Sequence, residues 1–177
     1  GIVAALAAES LVKLVAFVAL GLFAAWLLLR APPDVRLAGT AALGERMQAG
    51  FGADFLVLTL LSAAAILCLP RQFYLGFVEA PEPAALRRAR LPFIAYLALI
   101  SLMVLPLAAA GLALLPADTR PDLYVLALPL SEGAQALTLL AFLGGFSAAT
   151  GMVIAETLAL STMAANDLLA PLLIRAG

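Results

Sequence analysis

The stretch ILCLPRQFYLGFVEAPEP, residues 66–83, decides how this chain is read. It begins as apolar as a membrane helix, meets Pro70, Arg71 and Gln72, and turns apolar again before a basic segment at Arg87, Arg88 and Arg90. A charged side chain within a span costs roughly 2.5–3.5 kcal/mol on insertion scales, so Arg71 must reach an interface or face a polar cavity. Residues 55–69 make a helix of about 22 Å at about 1.5 Å per residue, short of the about 30 Å hydrocarbon core. Two readings fit. In one, the helix breaks at Pro70 inside the bilayer and QFYLGFVEA completes the crossing as a second half-helix. Arg71 and Gln72, with Tyr74 beside them, then stand where free backbone groups can bind a ligand. In the other, the span starts near Gly50 or Gly52 and ends at Leu69, Arg71 lies at the membrane surface, and FYLGFVEA lies along the interface.

Composition supports a membrane setting for either reading. Of 177 residues, 65% are hydrophobic and 12% charged, and mean hydropathy is +1.12; soluble domains have about half apolar and a quarter charged residues. The net charge of -1 leaves no basic surplus for nucleic acid. One cysteine, Cys68, and no histidine remove internal disulfides and make zinc sites and His-based catalysis untenable expectations. The chain is not expected to be an enzyme. It starts at Gly1 with neither a basic leader nor a small-residue cleavage site, and reads as a piece of something longer.

Around the opening stretch the expectation is an all-α membrane protein with four transmembrane helices, one of them discontinuous. The spans are placed at about 3–29, 54–80 with a break near 70, 91–115 and 134–165. RAPPD ends the first, because Pro32 and Pro33 forbid continuation. Pro106 is an expected kink in the third, and Gly144 with Gly145 an expected weak point in the fourth. The segment 30–54 is expected to hold one short surface helix or none. Arg87, Arg88 and Arg90 mark a cytoplasmic loop, which places both chain ends in the cytoplasm of a multi-pass protein. Glu9 and Lys13, four apart, are placed as a helical ion pair, and Trp26 as part of an aromatic interface belt.

In the fourth span, Ser147, Gly151, Ala155 and Ala159 form a small-residue stripe whose ordinary use is close helix packing. Ser147, Thr150 and Gly151 are also a candidate cation site, since sodium takes hydroxyl and free carbonyl oxygens. Glu156 lies on the opposite face at about 100° per residue. As an intramembrane carboxylate it is either hydrogen-bonded to a neighbouring helix or a carrier for a coupling proton.

The segments AAESLVKLVAF, ILCLPRQFYLGFVEAPEPAALRRAR, FLGGFSAATGMVIAETLALST and NDLLAPLLIR together resemble the membrane domain of bacterial sensor histidine kinases that belongs to the sodium/solute symporter family. The likeness covers nearly the whole chain, and LPRQF and ATGMVI are its most specific parts. It implies a fragment of a LeuT-like bundle of inverted repeats: the last helix of the first repeat and the first three of the second, with LPRQF in a discontinuous helix. It also implies a bacterial inner-membrane location, a small solute such as an amino acid as ligand, Na+ or H+ as coupling ion, and partnership with lipid, the remaining helices and cytoplasmic kinase modules. Transport members of the family carry a Gly-Gln-Pro-His-like stretch where this chain has Leu69, Pro70, Arg71 and Gln72, so the residues themselves differ at the break. The kinase reaction needs a phospho-accepting histidine, which this chain lacks. A free-standing cation-coupled symporter is the alternative whole protein, and a purely structural membrane module that binds nothing is the third reading.

Overall fold

A computed structural model describes residues 2–69 and 83–176 of the chain. Among them every regular element is helical. In chain order these are α1 (Ile2–Arg30), α2 (Pro33–Gly50), α3 (Ala53–Cys68), α4 (Pro83–Leu114), a 3-10 turn (Pro121–Leu123), α5 (Tyr124–Ser131), α6 (Gln135–Met163), a π-helical stretch (Ala164–Leu169) and α7 (Ala170–Ala176). Three described stretches, Ala7–Arg30, Arg87–Leu114 and Gln135–Leu172, are long and apolar enough to cross a membrane. A fourth is counted if Pro33–Gly50 and Ala53–Ala65 form one broken span.

The described residues fall into two compact units, Gly1–Gly52 with Leu91–Ala148, and Ala53–Arg90 with Ala149–Gly177, so the division falls within α4 and α6. The first unit is a bundle whose crossings are set by small residues. Its core is Leu20, Ala24, Leu27 and Leu28 of α1, Leu107, Ala109 and Ala110 of α4, Leu128 of α5 and Ala141 of α6. Alanine gives a helix a nearly flat face, which lets backbones approach and gain dispersion contact where lipid supplies no hydrophobic drive. Glycines take this further. A Cβ built on Gly21 of α1 would meet Met103 of α4 at 2.7 Å, and one on Gly39 of α2 would meet Ala113 of α4 at 2.6 Å. One on Gly111 of α4 would fall 2.2 Å from the ring of Tyr124 in α5. Each interval is closer than real Cβ contacts, so these approaches require glycine.

Helix α2 occupies the segment expected to hold one short surface helix or none. Its 18 residues start with Pro33, whose missing N–H costs nothing at a first turn, and Asp34 complements the positive end of the dipole. Good helix formers follow, and packing of Gly39 on α4 offsets the low propensity of its glycines. Helix α5 closes in a Schellman arrangement. Gly133 has φ 68, its N–H donates to the Leu130 carbonyl at 3.1 Å, and the Ala134 N–H donates to the Pro129 carbonyl at 2.8 Å.

The segment holding Arg87, Arg88 and Arg90, expected as a loop, is helix instead. Helix α4 begins at Pro83 and carries the three arginines, exposed, in its early turns. PAALRRAR explains this, since a proline at N1 is followed by strong helix formers. The helix continues through Pro92 and Pro106 to Leu114. Likewise α6 runs unbroken through Gly144 and Gly145, where a weak point was expected.

In the second unit, α3 spans 16 residues and ends at Cys68, with the Leu69 N–H still donating to the Ala65 carbonyl at 3.0 Å. At about 1.5 Å per residue it reaches about 24 Å. Leu56, Val57, Leu58, Leu60 and Leu61 are all exposed, so α3 is apolar and uncovered right around its axis. Such a helix is stable only with lipid or further helices around it. Across the described residues no polar or charged side chain is fully buried, while leucine and phenylalanine crowd the exterior.

Candidate functional site

Arg71, Gln72 and Tyr74, the expected solute-binding residues, and the expected break at Pro70 lie outside the described residues. The structure bears on the cation candidates and on a cavity that the sequence did not disclose.

Ser147, Thr150, Gly151 and Glu156 all lie on α6. Gly151, Ala155 and Ala159 are buried, as a packing stripe requires, and Ser147 is half-buried. Thr150 is exposed and has an interaction of its own. Because α6 is continuous here, its carbonyls are committed to amides one turn ahead. Only hydroxyls are left to offer a cation. The carboxylate of Glu156 belongs to an exposed residue. Among the described residues no group of three or more His, Cys, Asp or Glu side chains could hold a metal ion.

The cavity lies within the first unit and has a volume of about 290 Å³. Helix α1 supplies Lys13, Ala16, Phe17 and Leu20, α4 supplies Tyr96 and Ile100, α5 supplies Val125, and α6 supplies Ala141, Gly144, Gly145 and Ala148. Each element contributes for a local reason. Lys13, Ala16, Phe17 and Leu20 recur at three- and four-residue spacing and so share one face of α1. Gly144 brings α6 so close to α1 that a Cβ there would lie 2.8 Å from the Ala16 Cβ. Gly145, one residue on, is exposed, and a Cβ there would meet nothing within 4 Å. Lys13 and Tyr96 are the lining residues that carry polar side-chain groups; the others are apolar.

Lys13 does not enter this space as a bare charge. Its ammonium pairs with the Glu9 carboxylate one turn earlier on α1, and the two side chains are only 26% and 13% exposed. The pair is thus largely withdrawn from solvent, and each charge depends on the other. Sequence spacing foretold the pair; that its lysine lines a cavity depends on the approach of α4, α5 and α6. Farther along α1, Trp26 stacks on Phe23 with ring centroids 5.8 Å apart, and the Arg30 guanidinium lies 4.0 Å from the Trp26 ring centre. An indole capped by a cation suits a helix end where apolar and wet regions meet.

Fold and cavity together define a coarse class: an all-helical protein, over its described residues, with several helices of membrane-spanning length and composition. No protein-family model matches the chain, and neither a curated protein nor a solved structure does.

Proposed function

We propose that this chain is part of a multi-pass bacterial inner-membrane domain that binds or transports a small nutrient such as an amino acid, in a symporter-like sensor histidine kinase. The observation that carries the solute-binding part is the cavity among α1, α4, α5 and α6, apolar along its walls with an ion-paired lysine among its lining residues. The sensing part rests on the sequence resemblance. In this reading, solute occupancy favours one arrangement of the helices, and that shift in population is passed to cytoplasmic modules. The LeuT-like inverted repeat, the cytoplasmic placing of both ends, and Na+ or H+ coupling belong to the same proposal. A free-standing cation-coupled symporter is the alternative whole protein. A PAS or kinase module encoded downstream of Gly177 would favour the sensor, and a short tail the symporter.

The test is uptake and binding of a panel of amino acids by the intact protein in proteoliposomes, with Arg71→Ala and Gln72→Ala beside the parent. Saturable binding weakened by either substitution supports a solute site at the LPRQF stretch. Unchanged affinity in both removes those residues from the site, and absence of binding or uptake for every solute sinks the transport and sensing reading.

A further inference from the structure

We propose that Arg87 and Arg90, one turn apart on α4, hold the phosphate of an anionic membrane phospholipid, with Arg88 beside them in the same headgroup layer. The inference goes beyond the solute reading and needs only that Arg87–Leu114 crosses a bilayer.

Depth and charge carry it. The stretch Arg87–Leu114 is long and apolar enough to span a membrane, and its 28 residues make about 42 Å at about 1.5 Å per residue. Against about 30 Å of hydrocarbon, the surplus leaves about one turn outside at each end. Arg87–Arg90 is that turn at one end, at the level of lipid phosphates. All three arginines are exposed. Among the described residues none of them is ion-paired, the pairs there being Glu9 with Lys13 and Arg120 with Asp122. Three cations within four residues repel one another, and a bound anion relieves that repulsion. Arg87 and Arg90 share a helix face, and guanidinium forks one turn apart match the oxygens of one phosphate. Helix α4 is continuous beyond them, and Leu91, Ile94 and Leu97 extend the same face at three- and four-residue spacing, all exposed. Cations first and apolar surface next is the order of a phospholipid along its own length, phosphate and then acyl chain. A soluble acidic segment would match the arginines and leave the apolar surface uncovered, so the lipid is the better complement. The negative charge of an anionic leaflet draws basic residues at a span's end in the same sense.

The experiment uses the full chain in phosphatidylcholine nanodiscs into which phosphatidylglycerol is titrated. Native mass spectrometry counts the lipid retained on the protein, and thermal unfolding gives the midpoint. The full chain keeps Glu79 and Glu82, the nearest acidic residues along the sequence, so a preference in the parent already includes their opposing charge. The parent should retain phosphatidylglycerol over phosphatidylcholine, and its midpoint should rise with phosphatidylglycerol, as for a ligand bound by the folded state. Arg87→Gln with Arg90→Gln should weaken that preference roughly fivefold per arginine and flatten the rise. In pure phosphatidylcholine the double variant should unfold no earlier than the parent, because neither arginine is ion-paired within the described residues. Arg87→Lys with Arg90→Lys keeps the charges without the planar forks and should fall between the two. Arg36→Gln removes an exposed charge from α2 and should change nothing. No preference for phosphatidylglycerol in the parent overturns the inference, whatever the variants do. An equal loss in Arg36→Gln also overturns it, since the attraction would then be diffuse. Displacement of phosphatidylglycerol by poly-L-glutamate at constant ionic strength overturns it in favour of an acidic protein segment.

Discussion

Gly144 of α6 and Ala16 of α1 stand so close that a methyl group on the glycine would lie 2.8 Å from the alanine Cβ. The next residue, Gly145, has nothing within 4 Å of the same construction. Adjacent glycines on one helix therefore do opposite things: one fixes the contact of two helices, the other is exposed and meets no neighbour.

Gly144→Ala and Gly145→Ala should separate on that basis. Either substitution gains up to about 1 kcal/mol of helix propensity. At 144 the gain is opposed by overpacking, which costs about 1–3 kcal/mol. Thermal unfolding of the two variants in the same detergent should place Gly144→Ala below Gly145→Ala, with Gly145→Ala at or above the parent. The reverse order would mean that α1 and α6 do not meet at Ala16.

The Tyr124 ring covers Gly111, and a Cβ there would come within 2.2 Å of it. Gly111→Ala should therefore displace the ring and destabilise the bundle by about 1–3 kcal/mol. Tyr124→Leu opens space for the new methyl, so the double variant should be less destabilised than the sum of the singles. A double-mutant cycle with coupling of about 0.5 kcal/mol or more checks the contact; strict additivity refutes it.

Gly133 closes α5 at φ 68, a left-handed conformation that costs an L-residue about 1–2 kcal/mol. Gly133→Ala should lower stability by about that amount. Gly133→Asn should lower it less, since asparagine enters this region more readily. Equal midpoints for the two variants in a chemical-denaturation series would argue against the left-handed cap.

Trp26 is the one tryptophan in the chain, which makes its fluorescence a local report on the Arg30 guanidinium 4.0 Å from its ring centre. Arg30→Gln should shift the emission maximum and cost about 0.5–1 kcal/mol. Arg30→Lys should keep the charge but lose planar stacking, and fall between the two. An emission spectrum unaltered by Arg30→Gln would show that the cation does not cover the indole in the bilayer.

Much of the helical content is legible from residue order. Apolar runs broken by prolines place α1 and the bodies of α4 and α6, because such runs in lipid must satisfy their own backbone groups. The Glu9–Lys13 pair is equally legible, since four-residue spacing brings side chains together on any helix. Helix α2 was not: its composition is nearly neutral between a helix and a loop, and packing of Gly39 against Ala109 and Ala113 of α4 supports it. The arginines at 87, 88 and 90 read as loop markers because charge counting reports sidedness, while their high helix propensity and Pro83 at the first turn make them helix.

The cavity lies beyond any one-dimensional reading. Lys13, Tyr96, Val125 and Gly145 belong to four helices, and their convergence depends on which glycine faces which neighbour. Ser147 and Gly151, by contrast, were legible as one face of one helix, and the burial of Gly151, Ala155 and Ala159 agrees with a packing stripe.

The sequence alone determined the solvent this chain suits and the type of element it forms, because both follow from local hydropathy and from the need of each backbone group for a partner. Tertiary structure alone decided that Gly144 touches while Gly145 does not, and that the lysine of a largely covered ion pair borders an open space. The reason is geometric: side chains three and four apart share a helix face by covalent spacing, whereas residues on different helices meet only where packed surfaces leave or fill volume.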